Sequence, residues 1–344
     1  MSPLEPAPPS LATTPHATTT LDTKSDNQAL PQDGKFDNIV NFRDPDDASA
    51  RDKERLVNDI HLASVVDLRS KTEHIKASER RRDANRQIAD SPTATTTTRP
   101  ATSGYEHLIE LPGVRRVMVS LVGTNLQLLL LWRLSWMNLI LTLLSLLLGQ
   151  RMFATRLIAT HVMNARGLIG LAHDTLTSSK TEISTLFNTV FSESATYPTL
   201  IHCTQGKDRT GLVVILLLLL AGAEDESLSL EEEEEDDEGG AGSKPTTTIN
   251  ATMKKATTKN PWIPLTAISR DYHLSSTDLS QEFAERMREI EEVGLTEEFA
   301  GCPDGFVEEV ERFIESGYGG VRPYLRSIGV SGEVQERVRG LLIA

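Results

Sequence analysis

The stretch that decides the fold is Tyr197 to Ala221, YPTLIHCTQGKDRTGLVVILLLLLA. Pro198 to His202 reads as a short buried strand, Cys203 to Arg209 as a tight loop, and Thr210 to Ala221 as a helix apolar on nearly every face. Strand, loop and helix in that order present backbone N–H groups to an anion, with the positive end of the helix dipole beneath it. Gly206 lets the backbone bend close to such a ligand.

Two residues would make this cradle reactive. Cys203 would face the N–H groups and the helix N-terminus, which favour thiolate over thiol and lower a cysteine pKa from about 8.5 by several units. Arg209, six residues on, can return its planar guanidinium to the same bowl and hold two phosphate oxygens in a fork. A cysteine and an arginine around one phosphate-sized cradle imply in-line attack on phosphorus and a phosphocysteine intermediate. The bland alternative is a buried structural cysteine. It accounts poorly for His202, Gly206, Arg209, Thr210 and Gly211 all falling where the loop needs them.

HCTQGKDRTG, residues 202–211, matches the His-Cys-x5-Arg-Thr/Ser signature and resembles the cysteine-dependent phosphatase superfamily. Further motifs are Asn41-Phe42-Arg43-Asp44, Val66-Asp67-Leu68-Arg69-Ser70 with Glu73, and Asp271-Tyr272-His273-Leu274-Ser275. With them the chain resembles the tyrosine phosphatase group that includes mycobacterial secreted phosphatase B and many fungal proteins. The resemblance spans roughly residues 36–328. It implies an α/β fold with a central, mostly parallel sheet flanked by helices, and a helical lid.

The resemblance also implies roles. Asp208 is the candidate general acid, a structural contact being its alternative. Arg43 and Asp44 match ion-pairing residues beside the phosphate loop, although Pro45-Asp46-Asp47 replaces the usual Leu-Gly-Gly. His202 would orient the loop, and Thr210 would donate its hydroxyl to the sulfur. Thr204, Gln205 and Gly206 would complete the substrate cradle. Lys207 would extend from the rim toward a second anionic group on the substrate. Asp67 and Arg69 either border the site or form a pair that fixes sheet to loop. The reaction needs no metal or cofactor.

Phosphotyrosine protein, or a dual-specificity range, is the first substrate reading, and phosphoinositide is the second. A catalytically silent phosphate-binding module is a different class, and the intact Cys203, Asp208 and Arg209 argue against it. Rhodanese sulfurtransferases also carry a loop cysteine at a helix N-terminus, but the five residues before Arg209 fit phosphatases better.

Composition sets bounds on these readings. The 344 residues carry a net charge of -14, yet 11 acidic residues between Glu224 and Glu238 leave the rest nearly neutral. No basic face for nucleic acid is implied. Two cysteines, Cys203 and Cys302, give no disulfide framework, which points to a reducing, cytoplasmic setting. Cys302 reads as an ordinary thiol, with redox protection of Cys203 the sharper role. The first thirty residues lack a signal-peptide pattern.

Along the chain, residues 1–33 read as a disordered tail and 34–344 as one phosphatase domain, with low-complexity insertions at about 90–103 and 223–260. Ala63 to Leu68 and Val114 to Leu121 are strand candidates. Lys76 to Arg86 reads as a basic, solvated helix, and a docking patch for acidic headgroups is the sharper reading. Leu126 to Leu148 has the apolar length of a membrane span, but Arg133 interrupts it. It reads as one or two amphipathic helices over the site, with peripheral membrane contact as the sharper alternative. Arg151 to Phe191 supplies supporting helices, and His161 and His173 lack ligand-spaced partners. Thr277 to Ile290 and Pro303 to Ser316 read as amphipathic helices, with a helix-turn-helix around Gly319-Gly320 after them.

Overall fold

Three four-residue strands form a wholly parallel sheet: β1 (Ser64–Asp67), β2 (Arg115–Met118) and β3 (Thr199–His202), in the order β2-β1-β3. The computed structural model describes residues 48–89, 105, 107–108, 110–223, 263–279 and 283–344. Arg43, Asp44, the tail at 1–33, the Thr-rich tract and the acidic insertion lie outside the described residues. The register sets Asp67 beside His202 on one side and Met118 on the other, so all three strands end at one edge.

The central strand is buried along its whole length, as expected of a parallel strand covered on both faces. Its alternating side chains feed two cores. Val66 joins the main cluster with Leu176, Phe187, Leu216 and Tyr324, while Val65 packs with Leu56 and Leu200. Pro198 brings no N–H to the sheet, but its carbonyl accepts from Ala63 N at 2.9 Å and so aligns β3 with β1.

Helices wrap this sheet. Before and after β1 come α1 (Ala50–Glu54) and α2 (Lys71–Ala89). Between β2 and β3 come α3 (Thr124–Trp132), α4 (Trp136–Leu147), α5 (Arg151–Ile158), α6 (Asn164–Ser178) and α7 (Lys180–Leu186). The apolar stretch from Leu126 to Leu148 is therefore two helices. Arg133 ends the first, and Ser135 caps the second by accepting from Asn138 N. Arg133 and Arg166 both reach the buried Asp174, at 2.6 and 3.0 Å, which ties α3 to α6. Among the described residues no helix is long and apolar enough to cross a membrane.

After β3 comes α8 (Asp208–Gly222), whose Leu212, Ile215, Leu216 and Leu220 fill the main core. The remaining helices are α9 (Leu265–Leu279), α10 (Phe283–Glu292), α11 (Phe306–Tyr318), α12 (Val321–Ser327) and α13 (Gly332–Ile343). Two differ from expectation. The single helix expected over Thr277 to Ile290 is split between α9 and α10, because burial of Ile268 and Tyr272 in the main core draws the first helix back to Leu265. The helix expected from Pro303 starts at Phe306, since Gly305 precedes it at φ 72°. His173 stacks on Phe313 and faces the Glu309 carbonyl at 3.2 Å, a structural setting.

Candidate active site

The loop Cys203 to Lys207 leaves the carboxyl end of β3 and enters α8 at Asp208. Crevices outside the carboxyl ends of parallel strands are where open α/β sheets bind ligands. Gly206 sits at φ 66°, a left-handed conformation that disfavours any side chain, and this turn lets five residues connect strand to helix. Cys203 is buried, 2% exposed, within the main core. Beneath it lies the first turn of an apolar helix anchored by Leu212 and Val213, so the helix's positive end is fixed under the loop.

Arg209 is held in a fork. Its two terminal nitrogens donate to Glu73 Oε2 at 2.8 Å and Oε1 at 2.6 Å, and one also lies 3.4 Å from Thr204 Oγ1. Thr204 donates its hydroxyl to the same carboxylate. Glu73 is fixed in turn by a capping box at the start of α2: Ser70 donates to it from backbone N at 2.8 Å and from Oγ at 2.7 Å. Burial alone would push the Glu73 carboxyl up, but Arg209, with Thr204 and Ser70, holds it well below the usual carboxylate range. Burial opposes the Arg209 charge too. The nearby Glu73, then Cys203 and Asp208, outweigh burial and raise the guanidinium above its ordinary value.

A second polar group supports the base of the loop. Asp67 and Arg69 are both buried and paired, with Arg69 Nη2 donating to Asp67 Oδ2 at 2.6 Å and Nε to Oδ1 at 3.0 Å. His202 Nε2 lies 3.4 Å from Asp67 Oδ2, and Arg116 Nη1, reaching across from β2, lies 3.5 Å from the same oxygen. Burial would raise the Asp67 carboxyl, but His202 and Arg69 outweigh it and hold it well below its ordinary value. His74 Nε2 is 3.8 Å from Asp67 Oδ1. Its Nδ1 is 3.2 Å from His107, which is 2.7 Å from Ser78 Oγ. The Asp67–Arg69 pair thus joins the end of β1 to the end of β3.

Lys207 is where the structure departs most from the sequence reading. It does not extend from the rim: it is 1% exposed, and Nζ donates to the carbonyls of Gly301 at 2.6 Å and Phe299 at 3.3 Å. Its ammonium also lies 2.9 Å from Asp208 Oδ1. A buried ammonium needs such partners, and the chain meets this need with a segment more than ninety residues away. Asp208 opens α8 with its side chain about one third exposed. Thr210 Oγ1 is buried and makes no hydrogen bond to the protein. Gln205 is half-buried. Arg43 and Asp44 lie outside the described residues.

Tyr272, from the Asp271–Ser275 motif, covers the first turn of α8. A Cβ on Gly211 would come within 3.0 Å of its ring, which stacks on Phe306 at 4.6 Å. Cys302 Sγ lies 3.9 Å from the Tyr272 carbonyl, and both cysteines are free. The roles of two contributors were not read from sequence. Glu73 stood in the sequence as a motif residue with no role given to it, and nothing in the sequence marks the carbonyls of Phe299 and Gly301.

A family model described as tyrosine phosphatase family matches residues 38–231. No curated protein matches the chain.

Proposed function

Because the chain belongs to the tyrosine phosphatase family, we propose that it hydrolyses phosphate monoesters of tyrosine-phosphorylated protein by way of a phosphocysteine. The carrying observation is that Cys203 and Arg209 flank one tight loop, closed by left-handed Gly206, at the carboxyl edge of a parallel sheet.

Cys203 Sγ attacks phosphorus in line. The S–P bond forms, the P–O ester bond breaks, and the leaving oxygen takes a proton from Asp208. Arg209, set by Glu73, and the loop N–H groups hold the equatorial oxygens as charge redistributes. Water then gives a proton back to Asp208 and attacks the phosphocysteine. The S–P bond breaks, inorganic phosphate leaves, and the Cys203 thiolate is restored. Thr210 Oγ1, buried without a protein partner, is available to donate to the departing sulfur.

Phosphoinositide is less well supported as substrate than sequence alone suggests. The rim lysine that would favour a second phosphate is turned inward onto Phe299 and Gly301. Phosphate release from a phosphotyrosine peptide and from mono- and bisphosphorylated inositol lipids tests the choice. Turnover is expected on the peptide and is expected to fall at least about a thousandfold in Cys203→Ser. Undiminished turnover in that variant would sink the mechanism, and faster turnover on the lipids would reassign the substrate.

A further inference from the structure

α4 is built inside out. Its inward face buries Thr142 and Ser145, while Trp136, Ile140, Leu143 and Leu147, one stripe at helical spacing, are exposed by 72, 57, 50 and 83%. Trp132 at the end of α3 and Phe153 on α5, the helices next to it in the chain, are exposed as well, at 79 and 45%. The Thr142 hydroxyl is buried without a hydrogen-bond partner, so this helix leaves a polar group unsatisfied inside while presenting leucines outside. Contiguous apolar surface of this kind marks a contact with something apolar.

Charge says what that partner is. From Leu111 to His173 the chain carries six arginines and not one aspartate or glutamate. Arg115, Arg116, Arg133 and Arg166 pair with Glu193, Asp67 and Asp174 within the fold, so the charge this face offers is that of Arg151 and Arg156. Arg151 and Arg156 are exposed on α5, directly after the stripe, Arg156 also donating to the Glu292 carbonyl at 3.1 Å. A second copy fits poorly, because a two-fold interface brings each patch against itself and offers these arginines no carboxylate within that run. An apolar stripe with indoles at its start, edged by arginines and free of carboxylates, fits the interface of an anionic bilayer, where indoles settle at headgroup depth and arginines meet lipid phosphates.

We propose that the exposed surface of α3, α4 and α5 docks on an anionic lipid membrane, lying in its interface without spanning it. This docking does not depend on the catalytic reading. The test is co-sedimentation of the full chain with phosphatidylcholine vesicles, with and without phosphatidylserine. Binding is expected to rise with phosphatidylserine, to weaken in high salt, and to fall at least tenfold in Trp136→Glu/Leu147→Glu, whose folding is checked by thermal melting. In a Trp262→Phe background, which retains only Trp132 and Trp136, brominated lipid is expected to quench the remaining fluorescence. Wild type that stays in the supernatant, binds neutral and anionic vesicles equally, or shows no quenching overturns the proposal. So does a lipid-free dimer that the double substitution dissociates, which would assign the surface to a second copy.

Discussion

At the scale of single residues, the least expected member of the site is Glu73. A carboxylate beside a phosphate cradle repels the ligand, yet here it is neutralised by the guanidinium it orients. Removing its charge keeps the side chain's shape but loosens Arg209 from its fork. Glu73→Gln is expected to lower kcat at least about tenfold while Cys203 remains alkylatable, since small misplacements of a positioning group cost that much or more. Steady-state kinetics on a phosphotyrosine peptide, with iodoacetate labelling alongside, checks this. Cys203, Gly206 and Arg209 were legible from sequence because their spacing alone dictates the turn. Lys207 was misread because a lysine beside an anion site ordinarily faces solvent, and its real partners come from a distant segment.

At the scale of elements, the strand-loop-helix unit could be read directly, because an apolar run ending in His-Cys and resuming after Arg-Thr-Gly allows few other backbones. The edges shifted where packing overrides local pattern, as where β2 shortens to Arg115–Met118 and α9 starts early. The contact between α8 and α9 rests on Gly211. Gly211→Ala puts a methyl 3.0 Å from a Tyr272 ring already stacked on Phe306. Overpacking of this sort costs about 1–3 kcal/mol, so a lowered urea midpoint with an unchanged m-value is the expected result.

For the whole molecule, two carboxyls with depressed folded-state pKa values link stability to pH. Asp67 and Glu73 both hold protons less tightly folded than unfolded. Their stabilisation is therefore complete above the ordinary carboxyl range near about pH 4 and is lost progressively as pH falls below it toward the depressed folded-state values. Melting temperature is expected to drop from pH 6 to pH 3, with a shallower slope in Glu73→Gln. An equal slope in the two proteins would remove Glu73 from the account.

The inward lysine bears on how the chain can be divided. The matched family segment stops at residue 231, whereas the two carbonyls that receive the Lys207 ammonium belong to Phe299 and Gly301. A fragment trimmed to that segment keeps every signature residue of the loop but loses the two carbonyls that seat the lysine, and with them Tyr272, Phe306 and Tyr324 from the main core. Such a fragment is expected to be recovered insoluble or inactive when expressed alone, and mixing in residues 263–344 as a separate peptide is expected to restore phosphate release. The smallest working piece of this protein is therefore larger than the part that looks like its kin.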